Sequence, residues 1–289
     1  MPNILDLRRR IRSTKNMQQI TRAMKMVAGA RLRRAQERVL AARPYAAEIR
    51  AVLESVAARV DASEQVANPL LAVRPVRKVL LVLVTADRGL CGAFNSNLVR
   101  AAHSYIAQQA GAEVALLAVG RKGYDHFRKG PVPMLGEHLN VFSKLEFAHA
   151  RAIAQQISEF YSNETVDAVD VLYNEFKSIM TQRVTVERYL PVPPVKRAEG
   201  QYLVDYIYEQ PPAEIFARLL PRYVESQVYR ALVESQAAEL AAKATAMDAA
   251  TRNASDMIDS LTLYMNRVRQ AAITKEIIEI VSGAAAQTE

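Results

Sequence analysis

The chain has 289 residues, half of them hydrophobic, which is enough to bury the core of one or two domains. Its longest aliphatic run, Val79 to Val84, is far shorter than the roughly 20 residues of a membrane-spanning helix, and the first residues lack the apolar core of a secretory signal. A single cysteine, Cys91, excludes an internal disulfide and a cysteine-cluster metal site, and four scattered histidines show no ligand spacing. The composition predicts a cytosolic protein without a metal centre.

The net charge of +8 is concentrated near the N-terminus. Residues 1 to 43 hold twelve lysines and arginines against two carboxylates, Asp6 and Glu37. This cluster predicts an acidic partner, which can be nucleic acid, an anionic membrane surface or the carboxylates of another protein.

Residues 1–68 predict one long helix. Alanine and larger apolar side chains recur every three or four residues in a stripe formed by Leu32, Ala35, Val39, Ala42, Ala46, Ile49, Leu53, Val56 and Val60. Upstream, Ile4, Leu7 and Ile11, and then Met17, Ile20, Met24 and Val27, repeat the pattern with slips of phase. Pro44 lies inside the stripe, so we expect a kink there.

Residues 76–195 predict a Rossmann-like α/β domain. Strand-like segments at 78–84, 114–119, 168–173 and 183–190 enclose helix-like segments at 94–109 and 147–161. This alternation favours a largely parallel sheet. The first junction between strand and helix reads TADRGLCGAFN, residues 85 to 95, where nucleotide enzymes carry phosphate loops.

That junction is a weak phosphate site. It has only Gly89 and Gly92, and it lacks both the three-glycine dinucleotide pattern and the Gly-Lys-Ser/Thr ending of a P-loop. We expect instead that Asp87 or Asn95 caps a turn or helix and that the glycines permit close packing. Cys91 is predicted to be a small buried side chain. Arg121 and Lys122, after the second strand, keep a phosphorylated ligand as the alternative.

Residues 212–289 predict a second long helix. Its stripe comprises Leu240, Ala244, Met247, Thr251, Ala254, Ile258, Leu261, Met265, Val268 and Ala272, followed after one slip by Ile273, Ile277, Ile280 and Ala284. As one helix, residues 222 to 282 would extend about 90 Å. Two long stripes far apart in sequence predict that the terminal helices pair as an antiparallel coiled coil.

Several blocks of the chain resemble one family. ITKEIIEIVSGAAA, residues 273 to 286, is similar to the C-terminal signature of the γ subunits of F-type ATP synthases. ITRAMKMVAGARLRRAQ, DRGLCG and RYVESQVYRAL resemble other blocks of that family in the same order, so the resemblance covers essentially the whole chain. It implies a non-catalytic rotor shaft without a cofactor, which transmits rotation of the proton-driven membrane ring to the catalytic hexamer during ATP synthesis or hydrolysis.

The resemblance also implies partners and contact residues. The terminal coiled coil would enter the hexamer of α and β subunits, and the α/β domain would lie against the ε subunit and the membrane c ring. The expected β-subunit contacts are Met24, Lys25, Arg31, Arg33, Arg34, Arg38, Lys243, Arg269, Gln270, Thr274 and Glu276. The expected ring contacts are Arg43, Tyr45, Tyr206, Tyr208 and Glu209. The small, largely uncharged segment VSGAAAQTE would turn in an apolar sleeve.

Some positions depart from the family pattern. Asp248 stands where family members are often basic, and with Cys91 alone a thiol switch of the chloroplast type is not possible. The lack of a transit peptide favours a bacterial protein, peripheral to the cytoplasmic face of the inner membrane.

Two other classes of function stay open on the residues alone. A nucleic-acid-binding coiled coil would explain the basic first helix, but no recognition module is present, so we expect no nucleic-acid partner. A nicotinamide-dependent oxidoreductase would explain the α/β segment, but the glycine pattern is incomplete and the long helices would have no purpose.

Overall fold

The chain folds into two compact units. The computed structural model describes residues 3–57, 60, 68–109, 111–192 and 210–285. Met1–Ala28 and Ala244–Glu289 form one unit, called here the terminal unit, and Gly29–Lys243 forms the other, the sheet unit. Among the described residues, no helix is both long enough and apolar enough to cross a bilayer.

Two long helices contribute residues to both units. Helix α1 spans Ile4–Ala57 and helix α5 spans Pro212–Ala285. Helix α1 continues through Pro44, where we expected a kink, and α5 continues through Pro221. The elements between them are β1 (Lys78–Val84), α2 (Phe94–Gln108), β2 (Glu113–Val119), α3 (Arg121–Phe127), β3 (Met134–His138), a short 3₁₀ turn (Val141–Ser143), α4 (Phe147–Ser162), β4 (Ala168–Phe176) and β5 (Gln182–Leu190).

The five strands form one mixed sheet in the order β3-β2-β1-β4-β5. Strand β1 lies at the centre, with Val82 paired in parallel to both Leu117 of β2 and Val171 of β4. Strand β3 is also parallel, whereas β5 runs antiparallel to β4. The central strands are continuous aliphatic runs because helices cover both faces of a parallel sheet. The predicted largely parallel α/β arrangement is therefore confirmed.

Helices cover opposite faces of this sheet. The chain moves in one direction from β1 to β2 to β3, so the right-handed crossovers α2 and α3 lie on the same face. It then returns past β1 to reach β4, which places α4 on the other face. There α4 meets α5, where the rings of Phe147 and Tyr229 stack edge to face with centroids 5.3 Å apart.

In the sheet unit, α1 and α5 pack along an apolar seam. The predicted stripe from Leu32 to Val60 is buried, apart from half-buried Ala42. The pairing is antiparallel, because Arg43 bonds to Glu234 while Arg50, about two turns later, interacts with Tyr223. The prediction that the terminal segments pair is confirmed for this unit.

In the terminal unit, the same two helices pair along a seam that mixes apolar and polar side chains. The Thr14 hydroxyl lies 3.9 Å from the Met257 sulfur, and the Thr21 and Thr251 hydroxyls are 2.8 Å apart. Residue numbers on α5 decrease as residue numbers on α1 increase, so this pairing is antiparallel too. Side chains of the predicted α5 stripe from Ala244 to Ala272 are buried or half-buried.

The predicted stripe on the N-terminal part of α1 is correct for Ile4, Leu7, Ile11 and Met24 and wrong for three residues. Leu7 and Ile11 are buried as expected, but Met17, Ile20 and Val27 are exposed. The seam instead continues without a slip through Thr14, Gln18, Thr21, Met24 and Ala28, which keep the spacing of three and four. Hydropathy misled the prediction, because Thr14 and Thr21 lie in the seam and their hydroxyls have partners on α5.

Close packing of helix α3 on the sheet depends on different glycines from those predicted. A Cβ added to Gly120, which has φ of +94°, would lie 2.0 Å from the Thr85 carbonyl oxygen, and one on Gly123 would lie 2.9 Å from the Thr85 hydroxyl. The Gly123 amide donates to that hydroxyl at 2.8 Å. A Cβ added to Gly89 would lie 4.0 Å from its nearest neighbour, the Lys122 Cε. The close approach at Gly120 and Gly123 therefore occurs after β2, whereas Gly89, after β1, does not require one.

We expect Leu98→Ala to lower the free energy of unfolding by about 2–5 kcal/mol. Leu98 of α2 is fully buried against the sheet, so the change removes transfer energy and leaves a cavity. Urea denaturation followed by circular dichroism measures this loss. The control, Leu263→Ala, alters a leucine that is 62% exposed and should change stability by less than about 0.5 kcal/mol. Equal effects of the two variants would contradict the assigned core.

Candidate functional site

A basic groove in the sheet unit gathers several of the predicted contact residues. It has a volume of about 440 Å³ and is walled by α1, α5 and the loops that follow β1 and β3. Six cationic side chains and two carboxylates line it: Arg31, Arg34, Arg38, Arg88, Lys144 and Lys243, with Asp87 and Glu239. Lys243 is paired with Glu239 at 2.6 Å. The excess of positive charge suits a ligand or partner that carries carboxylates or phosphates.

Helix α1 supplies three of the six cationic side chains. Arg31, Arg34 and Arg38 stand three and four residues apart, so they share one side of the helix next to the buried seam. Arg33 is exposed but is not among the groove residues. Within the described part of the chain, these four arginines have no ion-pair partner. Their charges are therefore available to another molecule.

Asp87 positions the loops of the groove. Its Oδ1 accepts backbone N–H bonds from Arg121 at 3.1 Å and Asn140 at 2.8 Å, and its Oδ2 accepts one from Phe142 at 3.1 Å. The expectation that Asp87 caps a turn or helix is confirmed, since Arg121 opens α3. A phosphate at this junction would need such backbone donors, and the carboxylate already occupies three of them.

Cys91 and Asn95 complete the same junction. Cys91 is buried, as predicted, and burial raises the pKa of its thiol. Asn95 accepts a bond from the Ala86 amide at 3.0 Å, and its own amide lies 3.2 Å from the Cys91 sulfur. These contacts indicate a structural role for the loop. No group of three or more potential metal ligands occurs among the described residues.

Sequence reasoning missed Arg88 and Lys144 as part of the groove. Both follow parallel strands, Arg88 after β1 and Lys144 after β3, and loops after parallel strands meet at the same edge of a sheet. Arg88 could have been found from this rule because β1 was predicted. Lys144 could not, because β3 was not.

Met24 and Lys25 lie in the terminal unit. Met24 is half-buried, and the Lys25 ammonium lies 2.5 Å from the Asp248 carboxylate. Asp248 also bonds to Arg252, and these two cations lower the pKa of Asp248. The acidic residue that departs from the family pattern is thus neutralised within the chain.

Arg43, a predicted ring contact, is bound inside the sheet unit. Its Nε lies 2.9 Å from one oxygen of Glu234, its Nη2 lies 3.2 Å from the other, and Nη2 also donates to the Phe176 carbonyl at 3.0 Å. The Glu234 side chain is 3% exposed and accepts a further bond from the Phe176 amide. The bond to Glu234 raises the pKa of Arg43. This cluster joins α1, α5 and the end of β4.

Tyr45 is 57% exposed and so remains available to a partner. The other predicted ring contacts, Tyr206, Tyr208 and Glu209, lie outside the described residues.

The last turns of α5 have no partner helix among the described residues. Helix α1 begins ten residues before Thr14, whereas α5 continues for 28 residues beyond Met257, which lies opposite Thr14. Arg269, Gln270, Thr274 and Glu276 are exposed on these turns, as are Ile273, Ile277 and Ile280. Ile280 is 71% exposed. An uncovered stripe of isoleucines indicates a surface that another chain buries.

Long paired helices, a basic groove and an exposed apolar helix end define a scaffold protein that acts through contacts with other chains. A family model described as ATP synthase matches residues 3–287. The ATP synthase γ chain of Solibacter usitatus is 54% identical over 287 residues, with 99% of each chain covered, and that of Geobacter sp. (strain M21) is 48% identical over 285 residues, with 98% of each covered. The chain belongs to the ATP synthase γ-chain family.

Solved structures are similar in fold. The central stalk of the Tetrahymena thermophila mitochondrial ATP synthase matches 80% of this chain and 99% of that chain, with a TM-score of 0.62 and 27% identity. A chain of the Euglena gracilis mitochondrial ATP synthase matches 98% of this chain and 94% of its own length, with a TM-score of 0.69. At 18% identity, the Euglena match supports the fold alone.

We expect Arg43→Met to destabilise the sheet unit by about 3 kcal/mol, because it leaves the buried Glu234 carboxylate without its cation. Glu234→Gln should cost less, about 1 kcal/mol, because the amide can still accept the Phe176 N–H and the 43% exposed Arg43 can be hydrated. Urea denaturation of both variants measures the difference.

The double variant Arg43→Met/Glu234→Gln is the control for coupling between the two side chains. It should be more stable than Arg43→Met alone, since the uncompensated charge is gone. Additive losses, or a larger loss for Glu234→Gln, would show that the pair does not support the fold as assigned.

Proposed function

We propose that this chain is the central rotor shaft of a proton-translocating ATP synthase. It carries no covalent chemistry itself, and it transmits rotation of the membrane c ring to the catalytic hexamer of α and β subunits. The observation that carries the proposal is the antiparallel pairing of the two terminal helices, which leaves charged and apolar side chains exposed along their outer surfaces. Whole-chain similarity to γ chains supports the same function.

The basic residues of α1 contact the β subunits. In the sheet unit this surface comprises Arg31, Arg34 and Arg38 at the groove, Arg33 and the partly buried Lys243. Met24 and Lys25 are separate contacts in the terminal unit. Screened charges attract over about 8 Å at physiological salt without requiring one fixed geometry. Such a surface can meet three copies of an acidic segment in turn, because no single bond has to be broken at high cost.

The end of α5 contacts the upper part of the hexamer. Arg269, Gln270, Thr274 and Glu276 exchange hydrogen bonds worth about 1 kcal/mol each, so rotation can break and remake them. The exposed isoleucine stripe supports this assignment, since an apolar sleeve formed by the hexamer would remove it from water. Apolar contact is non-directional and therefore resists rotation little.

The sheet unit contacts the c ring and the ε subunit. Tyr45 is exposed, and the proposed contact also includes Tyr206, Tyr208 and Glu209, which lie outside the described residues. Arg43 contributes indirectly, because its bonds to Glu234 and Phe176 fix the turn of α1 that carries Tyr45.

The chain divides functionally into an N-terminal coiled-coil helix at 1–68, a Rossmann-like domain at 76–195 and a C-terminal coiled-coil helix at 212–289. These boundaries follow the type of element, whereas the two compact units follow packing. The ATP synthase that contains this chain is peripheral to a membrane through the assembly, and we place it on the cytoplasmic face of a bacterial inner membrane.

Co-expression with cognate α and β subunits tests the function. The chain should co-purify with the hexamer, and the complex should hydrolyse ATP with cooperative turnover that the hexamer alone lacks. A hexamer that forms but neither retains the chain nor gains turnover would refute the assignment.

We expect removal of three groove charges to weaken assembly. In the triple variant Arg31→Gln, Arg34→Gln and Arg38→Gln, the loss of exposed ion pairs worth about 0.2–1 kcal/mol each should reduce affinity for the hexamer by roughly threefold to hundredfold. The salt dependence of assembly should become shallower as well. Titration of the variant into hexamer at several salt concentrations measures both effects.

The control removes three exposed charges elsewhere on the sheet unit, through Arg100→Gln, Arg128→Gln and Lys129→Gln. It lowers the net charge equally and should leave assembly nearly unchanged. If both triple variants lose the same affinity, net charge rather than the groove governs binding, and the proposed β contact is wrong.

A further inference from the structure

Two histidines that are distant in the sequence meet on the outer face of the sheet unit. His103 lies on α2 and His126 on α3, and their Nε2 atoms are 2.9 Å apart. The two rings stand edge to face, with centroids separated by 5.2 Å. Both side chains are exposed, so a dissolved ion can reach the pair.

The structure beneath the pair fixes both imidazoles. The buried ring of Phe127 packs against His103 with centroids 4.9 Å apart and against His126 at 4.8 Å. Helix α3 is in turn held on the sheet by the close approach of Gly123 to Thr85. The two ring nitrogens therefore converge on rigid elements rather than on a loop.

The separation of the two nitrogens matches the geometry of a metal chelate. With metal–nitrogen bonds of about 2.0 Å, two ligands at right angles lie about 2.8 Å apart, and two tetrahedral ligands lie about 3.3 Å apart. The observed 2.9 Å fits neighbouring positions of a tetragonal ion such as Cu²⁺ or Ni²⁺. Zn²⁺ would require the rings to separate by about 0.4 Å.

We propose that His103 and His126 form a surface binding site for a divalent transition metal, with Cu²⁺ favoured over Ni²⁺ and Zn²⁺. Imidazole is a preferred ligand of these ions, whereas Mg²⁺ and Ca²⁺ prefer oxygen. The described residues contain no group of three or more potential ligands, so water completes the coordination. A bound ion cross-links α2 to α3 across the top of Phe127.

The competing structure is a simple hydrogen bond, in which one imidazole donates its Nε2–H to the other. The other two histidines can serve as controls for metal binding, because each has a different partner. The His138 Nε2 lies 2.8 Å from the Gln156 side-chain oxygen, and the His149 Nδ1 accepts a bond from the Glu146 amide. Neither shares a ligand with the proposed site.

The test is calorimetric titration of Cu²⁺ into the full chain, purified without a polyhistidine tag, with electron paramagnetic resonance of the product. We expect one equivalent of Cu²⁺ per chain with a spectrum of nitrogen coordination. His103→Gln and His126→Gln should each weaken binding at least about tenfold, because each leaves a single imidazole. His149→Gln is the matched control and should bind like the wild type.

Thermal unfolding provides an independent readout. Ni²⁺ should raise the unfolding temperature of the wild type and of His149→Gln but not that of the two site variants, and Mg²⁺ should have no effect on any of them. Because both histidines are exposed, the site variants should unfold like the wild type in the presence of a chelator. Equal copper affinity in wild type and His103→Gln would overturn the proposal and leave the hydrogen-bonded pair as the correct structure.

Discussion

The antiparallel seam between α1 and α5 is the constraint on which the rest of the structure depends. In the sheet unit the seam is aliphatic, and the buried Glu234 carboxylate, fixed by Arg43, attaches it to the end of β4. In the terminal unit the seam combines buried apolar side chains such as Leu7 and Ile11 with threonine hydroxyls and the pairing of Lys25 with Asp248. The hydrophobic effect contributes to both seams, and the second adds directional bonds that are individually small.

This difference agrees with what each unit has to do. The sheet unit must transmit force from its base, so a well-packed core with an ionic attachment is appropriate there. The terminal unit leaves Met17, Ile20 and Val27 exposed, because the threonines occupy the seam. Binding to the hexamer can stabilise the folded chain beyond what its own contacts provide.

The sequence predicted the long elements well and the short or polar ones poorly. The two terminal helices and helices α2 and α4 have strong periodic patterns, and strands β1 and β2 are continuous aliphatic runs, which is why these elements were found. Strand β3 is half-exposed and contains Gly136, and α3 has only seven residues, so neither gives a comparable signal. The seam through Thr14 and Thr21 was missed because hydropathy does not reveal hydroxyl pairs that form between residues 230 positions apart. For the groove, the spacing of Arg31, Arg34 and Arg38 predicted a basic surface, but only the fold placed Lys144 beside it.

The three amide bonds accepted by Asp87 make one carboxylate a mechanical link between distant parts of the chain. It ties the start of α3 to the segment that carries Asn140 and Phe142, and that segment delivers Lys144 to the groove. A substitution at Asp87 would therefore displace Lys144 from the groove and change its positive charge without altering any arginine of α1.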